Sequence, residues 1–168
     1  MVLLAGCGSS KHVSTQTSSI SIPSGTTTVS TPVVAPTAQL KAVRDTTENG
    51  LEKVEFEFDG GVPGYSVGYV NRPVQEDGSG KDVPVQGDNV LEMHMEHASG
   101  VNLAGGQVTH TYTGPKRMSP GGPAVAELVQ AGDFEGVLRW VAGTHGKPAF
   151  AVTTLTNPSR VVVDIAAP

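Results

Sequence analysis

Cys7 is the one cysteine in the chain, and it closes the run Leu4-Ala5-Gly6-Cys7. Small residues before a cysteine let a signal peptidase grip an extended backbone, and the thiol is then the nucleophile that takes up a diacylglyceryl group. The run has the shape of a lipobox. Other reactive side chains are present but poorly arranged. His94-Met95-Glu96-His97 is one residue short of the His-x-x-Glu-His order. It also lies in an alternating stretch where His97 faces away from His94, whereas that metal motif needs a helix. No Gly-x-Ser-x-Gly elbow is present, so serine chemistry lacks its turn. Glu55 and Glu57 alternate with apolar residues and read as a wet strand face, not as a glycosidase pair in a cleft. Neither Gly60-Gly61 nor Gly121-Gly122 leads into Gly-Lys-Ser/Thr, and Asp77-Gly78-Ser79-Gly80 lacks the later carboxylates of a calcium loop. We therefore expect no catalytic residue, no metal site and no cofactor, and the chain reads as a non-enzyme.

If Cys7 is acylated, the protein is extracytoplasmic and lipid-anchored to the membrane. A secretory signal needs a basic start and about 7–15 apolar residues. Only Val2-Leu3-Leu4-Ala5 precede the glycine of the box, so residues 1–7 read as a truncated signal peptide and lipobox, with the true start upstream. Residues 8–38 are rich in Ser, Thr and Pro, with Lys11 as their one charge and no aromatic residue. Such a segment cannot bury enough apolar surface to offset its ordering entropy and is expected to be a disordered tether. At roughly 3 Å per residue it would reach up to about 90 Å, the scale of a cell wall.

The domain proper is expected over residues 39–168. The chain has 168 residues, a net charge of −5 and a pI near 5.4. Only Lys11 falls before residue 37, so the remainder holds 10 basic and 16 acidic residues, net −6. An acidic domain without a basic stripe offers no counterion release, which excludes nucleic acid as a partner, and it is equally unsuited to anionic lipid. No apolar run approaches the ~20 residues of a membrane helix. With no second cysteine, stability must come from apolar packing.

The dominant pattern is alternation with period two. Val54, Phe56 and Phe58 fall on one face of a strand, and Lys53, Glu55 and Glu57 on the other. Gly60 to Gly64 is turn chemistry, and Tyr65 to Val70 follows as a second strand. Val90 to Glu96 points Leu91, Met93 and Met95 inward. Gln107 to Tyr112 is a weaker strand, and Pro123 to Ala131 fits a strand or a short helix. A turn over Gly132–Gly136, strands over Val137–Ala142, Phe150–Leu155 and Val161–Ile165, and the link Thr156-Asn157-Pro158-Ser159 complete the chain. Turn signals every 8–12 residues without an amphipathic helix predict an all-β fold, an antiparallel β-sandwich or open barrel. Phe56, Phe58, Trp140 and Phe150 are the expected core. Arg160 is expected to pair across strands with Glu55 or Glu57.

Four segments carry a resemblance. The run from Val54 to Val70 is one, and Tyr112-Thr113-Gly114-Pro115-Lys116-Arg117 is another. Gly132 to Trp140 and Asn157-Pro158-Ser159-Arg160-Val161-Val162-Val163-Asp164-Ile165 complete the set. Together they resemble the AMIN-like domain of actinobacterial lipoproteins over about residues 39–166. The last segment also resembles the Pro-x-Arg-apolar-Val-Asp ending of AMIN domains proper. Those are envelope modules that bind or localise to peptidoglycan. The resemblance implies a β-sandwich and an extracytoplasmic setting, with wall binding implied at one remove.

The candidate ligand-binding residues are Tyr112, Lys116, Arg117 and Phe134. An exposed Tyr112 beside two cations would stack on a sugar and hold a peptide-stem carboxylate; packed inward, it would leave the cations merely solvated. Phe134 sits in a turn and is either exposed at its tip or folded onto the core. The expected function is a lipid-anchored, non-catalytic module binding peptidoglycan or an envelope protein partner. The alternatives are a small cell-wall-active enzyme with an unrecognised site and a carrier with a closed apolar cavity.

Overall fold

The computed structural model describes residues 27–29 and 37–168. The lipobox at Cys7 and all of the 8–38 stretch except residues 27–29, 37 and 38 lie outside the described residues. Thirteen strands follow in order: β1 (Thr27–Val29), β2 (Ala38–Glu48), β3 (Leu51–Asp59), β4 (Gly64–Val70), β5 (Asn89–Glu96), β6 (Ala98–Ser99), β7 (Val101–Asn102), β8 (Thr109–His110), β9 (Arg117–Met118), β10 (Val125–Phe134), β11 (Val137–Thr144), β12 (Phe150–Thr156) and β13 (Ser159–Ala166). One sheet runs β1-β4-β5-β11-β10-β9 and the other β12-β13-β3-β2-β6, with β7 and β8 as a separate ribbon. All pairings are antiparallel except β2 with β6. No helix among the described residues is long and apolar enough to cross a membrane.

The inward faces are those the alternation predicts. Val54, Phe56 and Phe58 of β3, Val161, Val163 and Ile165 of β13, and Leu91, Met93 and Met95 of β5 are all buried. Trp140 joins the two sheets: its ring centroid lies 5.9 Å from Phe56 across the sandwich and 5.8 Å from Tyr112. Such tilted and edge-on contacts suit the ring quadrupoles. Pro123–Ala131 resolves as strand β10, because Val125, Leu128 and Val129 are buried between β9 and β11. The weak 107–112 strand shrinks to Thr109–His110. The turn expected over 132–136 narrows to Glu135-Gly136, both at positive φ (51° and 79°), and Gly132 to Phe134 continue β10. Two positive-φ residues match the twist that a tight hairpin requires.

The alternation does not show that the six-stranded sheet is covered on its outer face too. The segment 71–88 lies over Val90, Val129 and Val141 and presses Val74 and Val85 onto them. Arg72 ties its two ends together, donating to Val85 O at 2.7 Å and Gly87 O at 2.9 Å, and Gln86 N and Asp88 N anchor it to the sheet, donating to Glu127 Oε2 and Thr144 O at 2.8 Å each. The approach is so close that a Cβ on Gly143 would sit 1.6 Å from Gln86 O, so only glycine fits there. From Trp140 to Thr144 β11 is therefore buried on both faces, as a strand covered on both sides must be.

The outer face of the other sheet is polar. Arg44 donates to Glu55 at 2.9 Å and Glu57 at 2.7 Å, Arg160 donates to Glu55 at 2.9 Å, and Lys53 pairs with Asp164 at 2.7 Å. The pairing expected for Arg160 is thus made with Glu55. Because Arg44 is about half exposed, Arg44→Ala is expected to change stability by less than about 1 kcal/mol, measured as a small shift in the thermal midpoint.

A candidate binding groove at one end of the sandwich

At one end of the sandwich, the β10–β11 hairpin, the β6–β7 corner, the start of β2 and the end of β3 surround a solvent-open groove of about 940 Å³. Its apolar lining is Val101, Ala104, Phe134, 49% exposed, and Leu103, 68% exposed. Polar side chains of Gln39, Asp59, Ser99, Asn102 and Asp133 line it as well. Local chemistry makes the walls rigid. Asp133 accepts from Ser99 Oγ at 2.7 Å and from Gly100 N at 2.9 Å, pinning the β6–β7 corner to β10. Ser99 Oγ accepts from Val101 N at 2.9 Å, and Asn102 Oδ1 from Ala104 N at 2.8 Å. The Phe134 ring lies 3.6 Å from where a Cβ on Gly78 would be. Asp77, one residue earlier, is clamped by Arg139 and packs over Gly132. The ring is thus backed by a fixed loop while half of it faces solvent.

The four candidate residues are not gathered into one site. Phe134 lines the 940 Å³ groove, and Lys116 and Arg117 line a separate depression of about 330 Å³ beside segment 81–84. Tyr112 is packed inward at 8% exposure, edge-on to Trp140, with its hydroxyl donating to Pro115 O at 2.8 Å. Burial pushes its phenol pKa up. Its Cβ lies against Gly100, so it supports the groove wall from beneath. Arg117 bonds Glu127 at 2.6 Å and donates to Pro84 O at 2.9 Å. Lys116 is exposed and makes no ion pair among the described residues.

The alternation pattern omits Ser99, Asn102, Leu103 and Asp133, which lie outside the clear strands or at a strand end. It also passes over a buried carboxyl pair whose signal was present. Counting back by two from Val54 puts Glu52 on the inward face, and Glu52 is fully buried. Its Oε2 accepts from Ala124 N at 2.7 Å and Val125 N at 2.9 Å. The chain passes so near that a Cβ on Gly122 would fall 2.2 Å from its carboxyl carbon. Asp45 faces it. Burial, then the charge of Glu52 and a hydrogen bond to it, push Asp45 up to about 7. Each carboxyl keeps one buried oxygen without a hydrogen-bond partner, Asp45 Oδ2 and Glu52 Oε1. Neither residue lines the groove. His94 and Glu96 stand 4.0 Å apart, and among the described residues no three His, Cys, Asp or Glu side chains converge as a metal site would need.

The fold and the groove define an antiparallel β-sandwich module with a polar-and-aromatic recess at one end. The chain belongs to the AMIN-like domain family, whose profile matches residues 38–167, and this places it among modules of the cell envelope. No curated protein and no solved structure matches it.

Proposed function

We propose that this protein is a lipid-anchored, non-catalytic envelope module that binds the glycan of peptidoglycan in the end groove. The observation that carries this reading is the groove itself: a fixed, half-exposed Phe134 beside Asp, Asn, Gln and Ser side chains. A sugar ring offers an apolar C–H face to an aromatic plate and hydroxyls to planar polar groups. Asp59 and Glu135 on the rim repel polyanions, which favours a neutral N-acetylated glycan over anionic wall polymers. The family setting supports the wall as the source of the ligand. The Leu4-Ala5-Gly6-Cys7 run supports the anchor, which would hold the domain outside the membrane within reach of the wall.

Pelleting with purified sacculi tests the groove. Phe134→Ala is expected to weaken binding by about three- to tenfold, the scale of one lost stacking contact, with less than about 1 kcal/mol lost in stability because the ring is half exposed. Lys116→Ala, on the separate depression, is expected to bind like wild type. Binding kept in Phe134→Ala but lost in Lys116→Ala would move the ligand to the Lys116–Arg117 depression. The anchor is read by intact mass of membrane-fraction protein, with the added diacylglyceryl mass absent in Cys7→Ser.

A further inference from the structure

Sheet edges expose unpaired N–H and C=O groups, and natural sheets shorten, charge or cover them. Three of the four outer edges here follow that rule. β1 has three residues, and β9 and β6 have two each; beyond them, the free run of β2 carries Lys41, Arg44, Asp45 and Glu48, and that of β10 carries Glu127 and Asp133. The fourth edge, β12, does not. It runs seven residues, Phe-Ala-Val-Thr-Thr-Leu-Thr, without a charge, proline or glycine. Its only partner among the described residues is β13. Thr153 to Thr156 are exposed, including Leu155 at 41%.

We propose that the β12 edge is a homodimer interface, in which a second copy of this chain pairs antiparallel about a two-fold axis through Thr153. The ladder fixes this register. Ala166 N donates to Ala149 O at 2.9 Å, and hydrogen-bonded pairs alternate along an antiparallel ladder. The groups of Ala151, Thr153 and Leu155 are therefore spent on β13. Those of Phe150, Val152, Thr154 and Thr156 point to the open edge. An axis at Thr153 sets Phe150 opposite Thr156 and Val152 opposite Thr154, so every outward group finds a partner in about eight hydrogen bonds. On the other face Ala151 meets Leu155 and Thr153 meets itself. No pair across the seam is charged. The pairing is isologous and uses the same edge on both copies. It therefore closes as a dimer and does not run on into a fibre. The contact is a single edge, well below the area of a stable interface, so the dimer is expected to be weak and to form only at high concentration. No β12 residue lines the end groove, so both grooves stay open, and the dimer does not depend on what they bind.

Sedimentation velocity on the full chain in a Cys7→Ser background, from about 5 to 500 µM, tests the dimer. The weight-average mass is expected to rise towards two chains across that range. Thr153→Lys sets two like charges at the axis from an exposed position and is expected to weaken dimerisation at least tenfold, with an unchanged thermal midpoint. Thr153→Cys is expected to form a disulfide-linked dimer under mild oxidation, because the two copies of residue 153 face each other. Ala151→Cys is expected not to, because its opposite number is Leu155 and the two thiols stand about 13 Å apart. A mass that stays monomeric throughout would overturn the proposal. So would equal crosslinking of the two cysteine variants, or an edge that takes a foreign extended peptide but never a second copy.

Discussion

Replacing Arg117 by alanine is expected to lower the unfolding free energy by about 2–3 kcal/mol. The Glu127 side chain is 4% exposed, and two groups hold its charge: Arg117 at 2.6 Å and Gln86 N at 2.8 Å. Burial works against that charge, but the Arg117 hydrogen bond, the Gln86 N–H and the Arg117 charge together hold the carboxyl below its ordinary range. Without Arg117, a buried carboxylate keeps one backbone donor. The expected loss is set below that of a fully buried pair because Arg117 is 47% exposed, so water can enter in its place. Adding Glu127→Gln removes the stranded charge and should recover about half of the loss. Denaturant midpoints at constant slope measure both steps. A loss under about 0.5 kcal/mol would show that the pair is balanced by solvent. The result matters for function, since wall binding lost in Arg117→Ala alone would report a damaged fold and not a missing contact.

The second large effect is a pH dependence of unusual sign. Asp45 has an ordinary value of 3.8 and is pushed up to about 7 in the fold. An acid with a raised folded pKa binds more protons when folded than when unfolded. Its stabilisation is complete below about pH 4, shrinks as pH rises, and is gone above about pH 7. Glu127, held low, contributes the opposite dependence in a different window: its share is present above the ordinary carboxylate range and lost only as pH falls below it. Stability should therefore peak near pH 4–5 and fall towards pH 8. Asp45 is half-buried and partly screened, which limits its share to about 1–2 kcal/mol. Asp45→Asn keeps a hydrogen-bond donor towards Glu52 and removes the titration. The variant should match wild type near pH 5, exceed it at pH 8, and lose the slope between. Thermal midpoints across pH 4–8 decide this, and an unchanged slope in Asp45→Asn would place the titrating group elsewhere.

Most of the architecture could be read from alternation. The strands around Phe56, Met93 and Val163, the core at Trp140 and the Arg160–Glu55 pairing need only a period of two and a charge in register. β2 is the long strand that such a reading misses. Its inward residues Ala38 and Leu40 are followed by Val43 after a register shift between Leu40 and Ala42, and the shift breaks the period on which the pattern depends. Glu52 is passed over for the opposite reason. Its register was legible, but a carboxylate on an inward face contradicts the polarity rule, and only the nearby N–H groups of Ala124 and Val125 resolve the conflict.

The candidate site divides along the same line. Phe134 beside a turn is a local feature, since a tight hairpin leaves its flanking side chain near the surface. The inward packing of Tyr112 and the engagement of Arg117 with Glu127 depend on residues 28 and 10 positions away, Trp140 and Glu127, and no local pattern encodes them. The sequence alone determined most of the strands and their faces, the acidic character and the thiol available for a lipid, because these follow from side-chain period, charge count and a short contiguous run. The groove, the carboxyl pair, the covered outer face and the open β12 edge were decided only when distant segments met. Each is set by which strands become neighbours and which are left at an edge, and hydrogen-bonded pairing between remote segments fixes that, not residue type.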